Sequence, residues 1–338
     1  MNPDEILQHE SLNSPASSEF VRVLMRRLST LLSVATVALA IVSLATLAAR
    51  HHWLTDICAN LRVQWVIGLL AVACGSVVTK SWRLFSVQIM LLIFHAPWFA
   101  VVLFPDETPT GPPQMTFATA NVLTANRRYD EIEAQLLASN ADVVAVLELS
   151  TPLRDHLQGR FAEQYPYSRE SPQNGGNFGI GLYSRVPFQS AEIDYFNDAR
   201  IASVIARVNL QDSELVIIAT HTRPPVGAGG FAHRNRHLRM LADRVQEFRK
   251  AEPDVPVVVM GDLNLTPWSP VFADFAERAG LAPSRGRELT PTWYRFPLFP
   301  FGLVLDHVLA TPDLTRVDYQ VGSDMGSDHR IVTTGWKF

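Results

Sequence analysis

The chain is poor in cysteine and poor in charge. Its 338 residues include two cysteines, Cys58 and Cys74, both in the first quarter. This scarcity excludes a disulfide framework and a thiolate metal site, and it is compatible with either redox compartment. Charged residues make up 18% of the chain, which is low for a soluble protein of this size. The composition therefore argues against a purely soluble enzyme.

The chain also lacks an excess of basic side chains. Its formal net charge is −4 at neutral pH. A domain built to grip duplex nucleic acid usually carries a basic surplus, because the phosphate backbone dominates such binding. The charge lowers the expectation of tight nucleic-acid binding without excluding it.

Three long uncharged runs account for much of the 47% hydrophobic content. They are Leu31–Ala49, Val63–Thr79 and Leu84–Phe104. The first is long enough as a helix to span a bilayer and the second is short but admissible, while tryptophans lie near the ends as interfacial anchors do. The sequence predicts three transmembrane helices within residues 21–104. Buried core helices are the alternative, and His95 is expected to face neighbouring helices rather than bind a ligand.

The basic residues that flank these runs predict an orientation. Five basic residues lie at the amino terminus and in the second loop, and two lie in the first loop; they are Arg22, Arg26, Arg27, Lys80 and Arg83 against Arg50 and Arg62. Basic flanks tend to stay inside. Three spans then place the rest of the chain in the periplasm or outside the cell, as part of a multi-pass protein of the plasma or inner membrane. If the short second span fails to insert, the domain faces the cytoplasm.

The remaining segments divide into two connecting regions and one large domain. Residues 1–20 are polar and predicted to be disordered, and residues 105–113 form a Pro/Gly/Thr-rich linker. Residues 114–338 alternate short apolar runs with helical patterns, which predicts an α/β domain. The strand-like runs are Met115–Ala120, Ala141–Leu147, Phe178–Tyr183, Ile201–Val208, Leu215–Ala219, Val255–Met260 and Val304–Ala310, and the helical patterns are Tyr129–Leu137, Phe231–Lys250 and Ser269–Ala279.

Acidic, amide and imidazole side chains stand just past or beside the ends of these apolar runs. Strand ends that converge on one rim collect such groups in a single cleft. The residues are Asn121, Glu148, His221, Asp262, Asn264, Asp306, Asp328 and His329. Each position alone has an ordinary structural interpretation, such as a solvated strand end or an Asx turn, so the prediction depends on the whole set.

This set suits metal-assisted phosphoryl chemistry. A hard divalent cation such as Mg²⁺ or Mn²⁺ prefers carboxylate and amide oxygens, which Glu148, Asn121 and Asp328 supply. Hydrolysis also needs a base for water and donors for the developing charge. His329 with Asp306 behind it forms a base-and-orienter pair, and His221 and Asn264 are candidate donors to phosphate oxygens.

The order of these residues resembles the endonuclease/exonuclease/phosphatase superfamily. The family pattern runs Asn, Glu, His or Tyr, Asp-x-Asn, Asp and Ser-Asp-His, and this chain has the same order, ending in Ser327-Asp328-His329. The segment from Asn177 to Arg185 resembles the family's glycine-to-Ser-Arg strand. The resemblance covers residues 114–338. One position departs: Leu147 stands where the family often has glutamine.

The resemblance implies a four-layer α/β sandwich with its site at one edge of two packed sheets. It implies that Glu148 is the principal metal ligand, supported by Asn121. Asp262 and Asn264 would position water and phosphate, and His329 would act as base or transition-state stabiliser. Whether Asp262 or His329 takes the proton of the water stays open. The implied activity is a membrane-anchored, Mg²⁺-dependent phosphoesterase.

The substrate has two sequence-based interpretations. A nuclease-like activity is favoured by basic residues that could line a phosphate groove, with Arg127, Arg223 and Asn177 as the candidate substrate-binding residues. For Arg234, Arg236 and Arg239 the alternative is the solvated face of a long helix. A lipid phosphodiester is favoured by the membrane region and by the apolar loop Phe296–Phe301, which could dip into a bilayer or pack on the protein. The expected partners are the bilayer and the phosphodiester, and no protein partner is implied. A catalytically inactive binding module is the third alternative, though every matched position is occupied.

Overall fold

The computed structural model describes residues 15–103, 111–196, 201–210, 213–282, 289–294 and 301–338. Most of the polar amino terminus, of the linker at 105–113 and of the apolar loop Phe296–Phe301 lies outside the described residues. Contacts divide the chain into two compact units. The first runs to Leu47 and resumes over Leu61–Trp98, and the second comprises Ala48–Asn60 and Phe99–Phe338.

The first unit is built from three apolar helices. They are α1 (Pro15–Ala45), continued by a 3₁₀ turn at Thr46–Ala48, α3 (Arg62–Val78) and α4 (Trp82–His95). Each helix overlaps one of the three predicted runs but begins before it, and α1 begins well before the first run at Pro15. The third run is not one helix. A 3₁₀ turn at Ala96–Phe99 interrupts it and is followed by the short helix α5 (Ala100–Leu103). Pro97 explains the break, because proline lacks the N–H that an α-helix requires.

By length and composition, one described helix can cross a membrane alone, over Glu19–Ala48. The helix α2 (Trp53–Asn60) and α3 pass the same test only as a pair, and they bend by 64° at their junction. A signal sequence near the amino terminus passes the same test.

Several uncharged polar side chains and one histidine of the first unit point inward. Gln88 Nε2 donates to Thr36 Oγ1 at 2.7 Å and to Ser76 Oγ at 3.0 Å, and His95 Nε2 lies 2.9 Å from Ser43 Oγ. All five side chains are buried, whereas large apolar side chains face outward, among them Leu31, Val34, Ile41, Met90 and Ile93. His95 faces its neighbouring helices, as the sequence predicts.

The second unit is an α/β sandwich of two mixed sheets. The first sheet has the order β12-β13-β1-β2-β4-β3 and the second the order β11-β8-β7-β6-β5; a separate ribbon pairs β10 with β9. The strands are β1 (Met115–Asn121), β2 (Val143–Leu147), β3 (Tyr167–Ser171), β4 (Ile180–Ser184), β5 (Phe188–Asp194), β6 (Ser203–Leu210), β7 (Ser213–His221), β8 (Val257–Asp262), β9 (Trp293–Tyr294), β10 (Gly302–Leu303), β11 (Asp306–Ala310), β12 (Thr315–Val321) and β13 (Val332–Lys337).

Alternating residues of the central strands build the core between the sheets. On β7, Leu215, Ile217 and Ala219 pack into this core, and Val216 and Ile218 pack on the opposite face. Strands buried on both faces read as unbroken apolar runs, which is why the sequence displays them so clearly. Leu147 also lies in this core and is fully buried. A leucine suits this position because its side chain packs into the apolar core between the sheets.

Helices cover the outer face of each sheet and complete four layers. The helices α9 (Gly227–Ala251) and α10 (Pro270–Ala279) pack on the second sheet. The helices α6 (Tyr129–Ala138), α7 (Thr151–His156) and α8 (Arg160–Gln164) pack on the first. The sequence places the start of α10 correctly, because Ser269 caps it and accepts a bond from the N–H of Val271. The predicted α/β sandwich is confirmed.

Candidate active site

The same edge of the two sheets gathers the polar strand ends. Asn121 ends β1 and pairs with Leu147, the last residue of the parallel strand β2. His221 ends β7 and pairs with Asp262, the end of the parallel strand β8. Asp306 begins β11 antiparallel to β8 and also pairs with Asp262. Parallel neighbours end at one edge of a sheet, so this topology brings the predicted side chains together.

Glu148 stands directly after β2 with both carboxylate oxygens held. Asn121 Nδ2 donates to Oε1 at 3.1 Å, and the N–H of Thr124 donates to Oε2 at 3.0 Å. The residue is buried and adopts a left-handed backbone conformation with φ of 60°. Such a conformation is uncommon for a residue with a side chain. The strained turn aims the carboxylate back over the end of the sheet.

Asp262 lies at the centre of the cluster. Its Oδ2 atom accepts a bond from Asn121 Nδ2 at 3.2 Å and lies 3.4 Å from His221 Nε2 and 3.7 Å from His329 Nε2. Its Oδ1 atom accepts from the N–H of Asn264 at 2.8 Å. Burial by itself would raise the pKa of Asp262, but the neighbouring His329, His221 and Asn264 outweigh it and lower that pKa. The carboxylate is therefore ionised at neutral pH.

His329 and Asp306 form the predicted pair. His329 Nδ1 lies 2.8 Å from Asp306 Oδ2, which also accepts a bond from Thr292 Oγ1 at 2.7 Å. Burial lowers the pKa of His329, but the charges of Asp306 and Asp262 and the bond to Asp306 raise it above its ordinary value. The imidazolium form is favoured at neutral pH, so Nδ1 donates to Asp306 and Nε2 presents a second proton toward Asp262.

His221 and Asn264 border the same cluster. Burial lowers the pKa of His221, but its contact with Asp262 outweighs this and raises that pKa. The ring lies 5.2 Å from Phe178, between ring centres. Asn264 is left-handed with φ of 49°, and its Nδ2 donates to the carbonyl of Thr222 at 2.9 Å.

The donor set fits a hard divalent cation. Carboxylate oxygens of Asp262 and Asp306 lie within 4.8 Å of one another, and Asn121 joins Asp262 to Glu148. Among the described residues, Asp306 Oδ1 is buried without a hydrogen-bond partner. Three buried carboxylates close together require compensating positive charge, which protonated His329 and a cation would supply.

The other predicted residues lie at the border of this cluster or away from it. Asp328 is exposed, and its Oδ2 accepts from the indole N–H of Trp293 at 2.9 Å. The guanidinium of Arg223 lies 5.6 Å from the ring centre of Phe178, the ring that also contacts His221. Metal binding by Asp328 and substrate binding by Arg223 stay predictions.

The remaining two substrate-binding candidates are exposed. Arg127 Nη1 donates to the carbonyls of Thr124 and Asn126 at 3.0 Å each, next to the loop that holds Glu148. Asn177 is left-handed with φ of 60° and directly precedes Phe178. Both stay candidates for contact with substrate.

The sequence did not predict two residues that support the site, Thr292 and Ser327. Thr292 orients Asp306, and it precedes a strand of two residues that carries no pattern of its own. Ser327 donates to the carbonyl of Asn121 at 2.7 Å and accepts from the N–H of His329 at 3.1 Å. Its place in the Ser-Asp-His motif was the signal that could have revealed this role.

Arg234 contradicts both sequence-based interpretations. It is neither in a phosphate groove nor on a solvated helix face, because its side chain is fully buried against Asp56. Arg236 and Arg239 on the same helix are exposed. Periodicity alone could not identify this buried arginine, because its partner lies 178 residues earlier in the chain.

Gly261 allows β8 to reach the site. Its φ is 144°, and a Cβ there would lie 1.8 Å from the carbonyl oxygen of Thr220 on β7. We expect Gly261→Ala to lower the free energy of unfolding by about 3 kcal/mol or more, from strain and overpacking together. Thermal unfolding of the purified chain measures this. Gly229→Ala is the control, since nothing lies within 4 Å of its added Cβ; equal melting temperatures would contradict the prediction.

The sequence model of the Endonuclease/Exonuclease/phosphatase family matches residues 118–329. No curated protein matches the chain. Similar solved structures include sphingomyelinase C from Streptomyces griseocarneus, with 21% identity, a TM-score of 0.53, and coverage of 67% of this chain and 99% of that chain. D. rerio TDP2 complexed with single strand DNA product has 20% identity, a TM-score of 0.55 and coverage of 66% and 99%.

A mutant of beta toxin from Staphylococcus aureus with bound magnesium ions has 18% identity, a TM-score of 0.52 and coverage of 65% and 99%. These likenesses establish a shared fold. The family match spans more than half of the chain and contains all eight polar residues of the predicted site. The chain therefore belongs to the Endonuclease/Exonuclease/phosphatase family.

Proposed function

We propose that the chain is a membrane-anchored phosphoesterase that hydrolyses phosphodiester bonds with the help of a divalent cation. The observation that carries this proposal is the buried cluster around Asp262, in which two further carboxylates and two histidines converge on one edge of the sandwich. A phosphodiester needs charge compensation, an oriented water and a proton donor. Each of these requirements has a candidate among the clustered side chains.

Glu148, with Asn121 beside it, is the proposed holder of the cation, and Mg²⁺ is our first choice with Mn²⁺ as the alternative. When bound, such an ion polarises a phosphoryl oxygen and stabilises charge in the transition state. The similar beta toxin structure contains magnesium ions. The carboxylate and amide character of this part of the cluster favours the same class of ion.

The pKa shifts favour a division of roles between Asp262 and His329. A lowered pKa keeps Asp262 ionised, so it can orient a water molecule and accept its proton. A raised pKa keeps His329 protonated, so it can donate to an oxygen of the phosphate as negative charge develops. His221 and the side chain of Asn264 border the same space and would fix the remaining phosphate oxygens.

The preferred substrate is a nucleic acid or a similar polyanionic phosphodiester. Arg223 and Phe178 lie together beside His221, and an aromatic ring with a guanidinium can hold a base and a phosphate at once. The TDP2 structure contains a single strand DNA product. The alternative is a sphingomyelin-type phospholipid, which the similarity to a sphingomyelinase and the apolar first unit favour.

The first unit supports a multi-pass anchor. Polar side chains fill its interior while leucine, valine and isoleucine cover its outside. Water disfavours this arrangement and a bilayer accommodates it. We propose that α1, α3 and α4 each cross the membrane, with α4 and the turn after it as a broken third span.

Chain connectivity supports an odd total number of membrane crossings, made up of α1 and an even number of crossings after it. Residues Ala48–Asn60 and Phe99–Phe338 belong to one unit, so both lie on one side of any membrane. The chain that leaves at Asn60 and returns at Phe99 must then cross an even number of times. Either α3 and α4 both cross or neither does, which argues against a topology in which α3 alone fails to insert. With the basic flanks inside, the second unit, which carries the proposed active site and which we call the catalytic unit, faces the periplasm or the exterior.

Removal of divalent cations from the full chain in nanodiscs is the direct test. We expect chelation to abolish hydrolysis of DNA, RNA or phospholipid, and Mg²⁺ or Mn²⁺ to restore it. A salt titration then separates the substrate classes, because nucleic-acid turnover falls steeply with salt and lipid turnover changes little. Undiminished hydrolysis after complete chelation would contradict the proposed metal dependence. Inactivity on every phosphodiester with metal added would contradict the function.

A further inference from the structure

The short segment between α1 and α3 belongs to the catalytic unit. Ala48–Asn60 clusters with Phe99–Phe338, and its helix α2 buries Asp56, Ala59 and Asn60. A loop that merely joined two apolar helices would need no buried polar side chains. The polar contacts of α2 lead to the stretch of chain that follows Asp262.

Asp56 forms a fully buried ion pair with Arg234 of α9. Arg234 Nη1 lies 2.9 Å from Asp56 Oδ2, and both side chains have 0% exposure. The same Nη1 atom donates to the main-chain carbonyl of Asn264 at 3.3 Å. The ion pair therefore reaches the backbone of a residue that borders the site.

Asn60 holds the same stretch two residues further on. Its Oδ1 atom accepts from the N–H of Thr266 at 2.7 Å and lies 3.1 Å from Thr266 Oγ1. Its Nδ2 donates to the carbonyl of Asp56 at 2.9 Å. The two polar side chains of α2 thus act on one backbone segment, residues 264–266.

This segment is a turn beside the site. Asn264 is left-handed with φ of 49°, a conformation that asparagine adopts more readily than most residues with a side chain, and the contacts from α2 hold it in place. The N–H of Asn264 donates to Asp262 Oδ1 at 2.8 Å, so the backbone of Asn264 is bonded directly to that carboxylate. A change at the carbonyl of Asn264 therefore reaches the carboxylate at the centre of the site.

We propose that α2 is a positioning element of the active site, in which Asp56 through Arg234, and Asn60 through Thr266, hold residues 264–266 so that Asp262 and Asn264 keep their reactive orientation. This inference rests on the proposed function. A buried ion pair is not required for stability as such, since apolar residues of similar volume replace such pairs at little cost. A directional bond to the carbonyl of Asn264 is what apolar residues cannot reproduce.

The double variant Asp56→Leu/Arg234→Met separates positioning from stability. In the full chain in nanodiscs, we expect a melting temperature close to that of the wild type, a kcat about 10- to 100-fold lower and a nearly unchanged KM, because small misplacements of reacting groups are costly. Amide hydrogen exchange across residues 263–266 should speed up, and exchange in the central strands should not. A stably folded double variant with wild-type kcat and wild-type exchange would overturn the inference.

Asn60→Ala provides an independent test if the double variant unfolds. We expect faster exchange at the amide of Thr266 and a lower kcat, and wild-type values for both would overturn the inference. Arg50→Ala is the matched control, because Arg50 lies in the same segment but forms an exposed ion pair with Asp274; it should behave as the wild type. An inactive wild-type chain would contradict the proposed function alone, since hydrogen exchange still decides whether α2 holds residues 264–266.

Discussion

Glu148→Gln is expected to reduce phosphodiester hydrolysis at least about a thousandfold with little effect on folding. The substitution keeps the size of the side chain and an oxygen that can accept from the N–H of Thr124. It removes the negative charge that we assign to cation binding. Loss of several kcal/mol of transition-state stabilisation corresponds to a rate loss of this size. Steady-state rates at saturating Mg²⁺ and calorimetric titration of Mg²⁺ measure the two consequences.

Glu133→Gln is the matched control. Glu133 is 8% exposed, close to the 7% of Glu148, and its carboxylate on α6 accepts from the N–H of Phe161 on α8 at 3.1 Å. This variant removes a carboxylate of equal burial that has no place in the site, so its turnover should equal that of the wild type. If both variants keep full activity and Mg²⁺ affinity, Glu148 does not hold the cation.

Asp306→Asn is expected to lower kcat by about 10²- to 10⁴-fold at neutral pH and to move the basic limb of the pH–rate profile to lower pH. Burial lowers the pKa of His329, and the charge of Asp306 is the largest influence that raises it. Without that charge the pKa of His329 falls, so the proton is lost at a lower pH as the pH rises. General acid catalysis by one positioned group contributes rate factors of this order.

Asp313→Asn controls for the loss of a carboxylate from the turn that follows β11, the strand that begins with Asp306. Asp313 is 37% exposed and pairs with Arg249 at the surface, so its variant should keep both the rate and the pH profile. Profiles of kcat against pH for the two variants and the wild type are the measurement. An Asp306→Asn variant with a reduced rate but an unshifted basic limb would contradict the assignment of a proton on His329.

The sandwich and the meeting of the strand-end residues were predictable because one feature of the chain encodes both. Strands buried on two faces appear as uninterrupted apolar runs. The runs that end at Leu147 and Met260 are followed within two residues by Glu148 and Asp262, so the sequence marks both strand ends. Parallel pairing then brings Asn121 beside Glu148 and His221 beside Asp262. The edge strands β3, β5 and β12 have exposed or half-buried residues and no such pattern, so they escaped detection.

Contacts between residues far apart in the chain could not be predicted from the sequence. Thr292 is one threonine among many until β9 places it against Asp306. Arg234 follows the exposed periodicity of a basic helix, and only Asp56 explains its burial. Asp56 itself stood in a loop between two apolar runs, where a solvated acid is the ordinary expectation. Partner choice across more than a hundred residues is a tertiary property, which local pattern does not record.

The second unit is assembled from two separate stretches of the chain, Ala48–Asn60 and Phe99–Phe338. Cutting the chain between them removes part of the unit. Expression of residues 114–338 alone, the natural cut at the Pro/Gly/Thr-rich linker, would discard Asp56 and Asn60. The guanidinium of Arg234 would then lie in the protein interior without its counter-ion, a defect of about 3–5 kcal/mol in comparable cases. Measurements on this fragment would describe a destabilised protein, so substrate screens should use the intact chain.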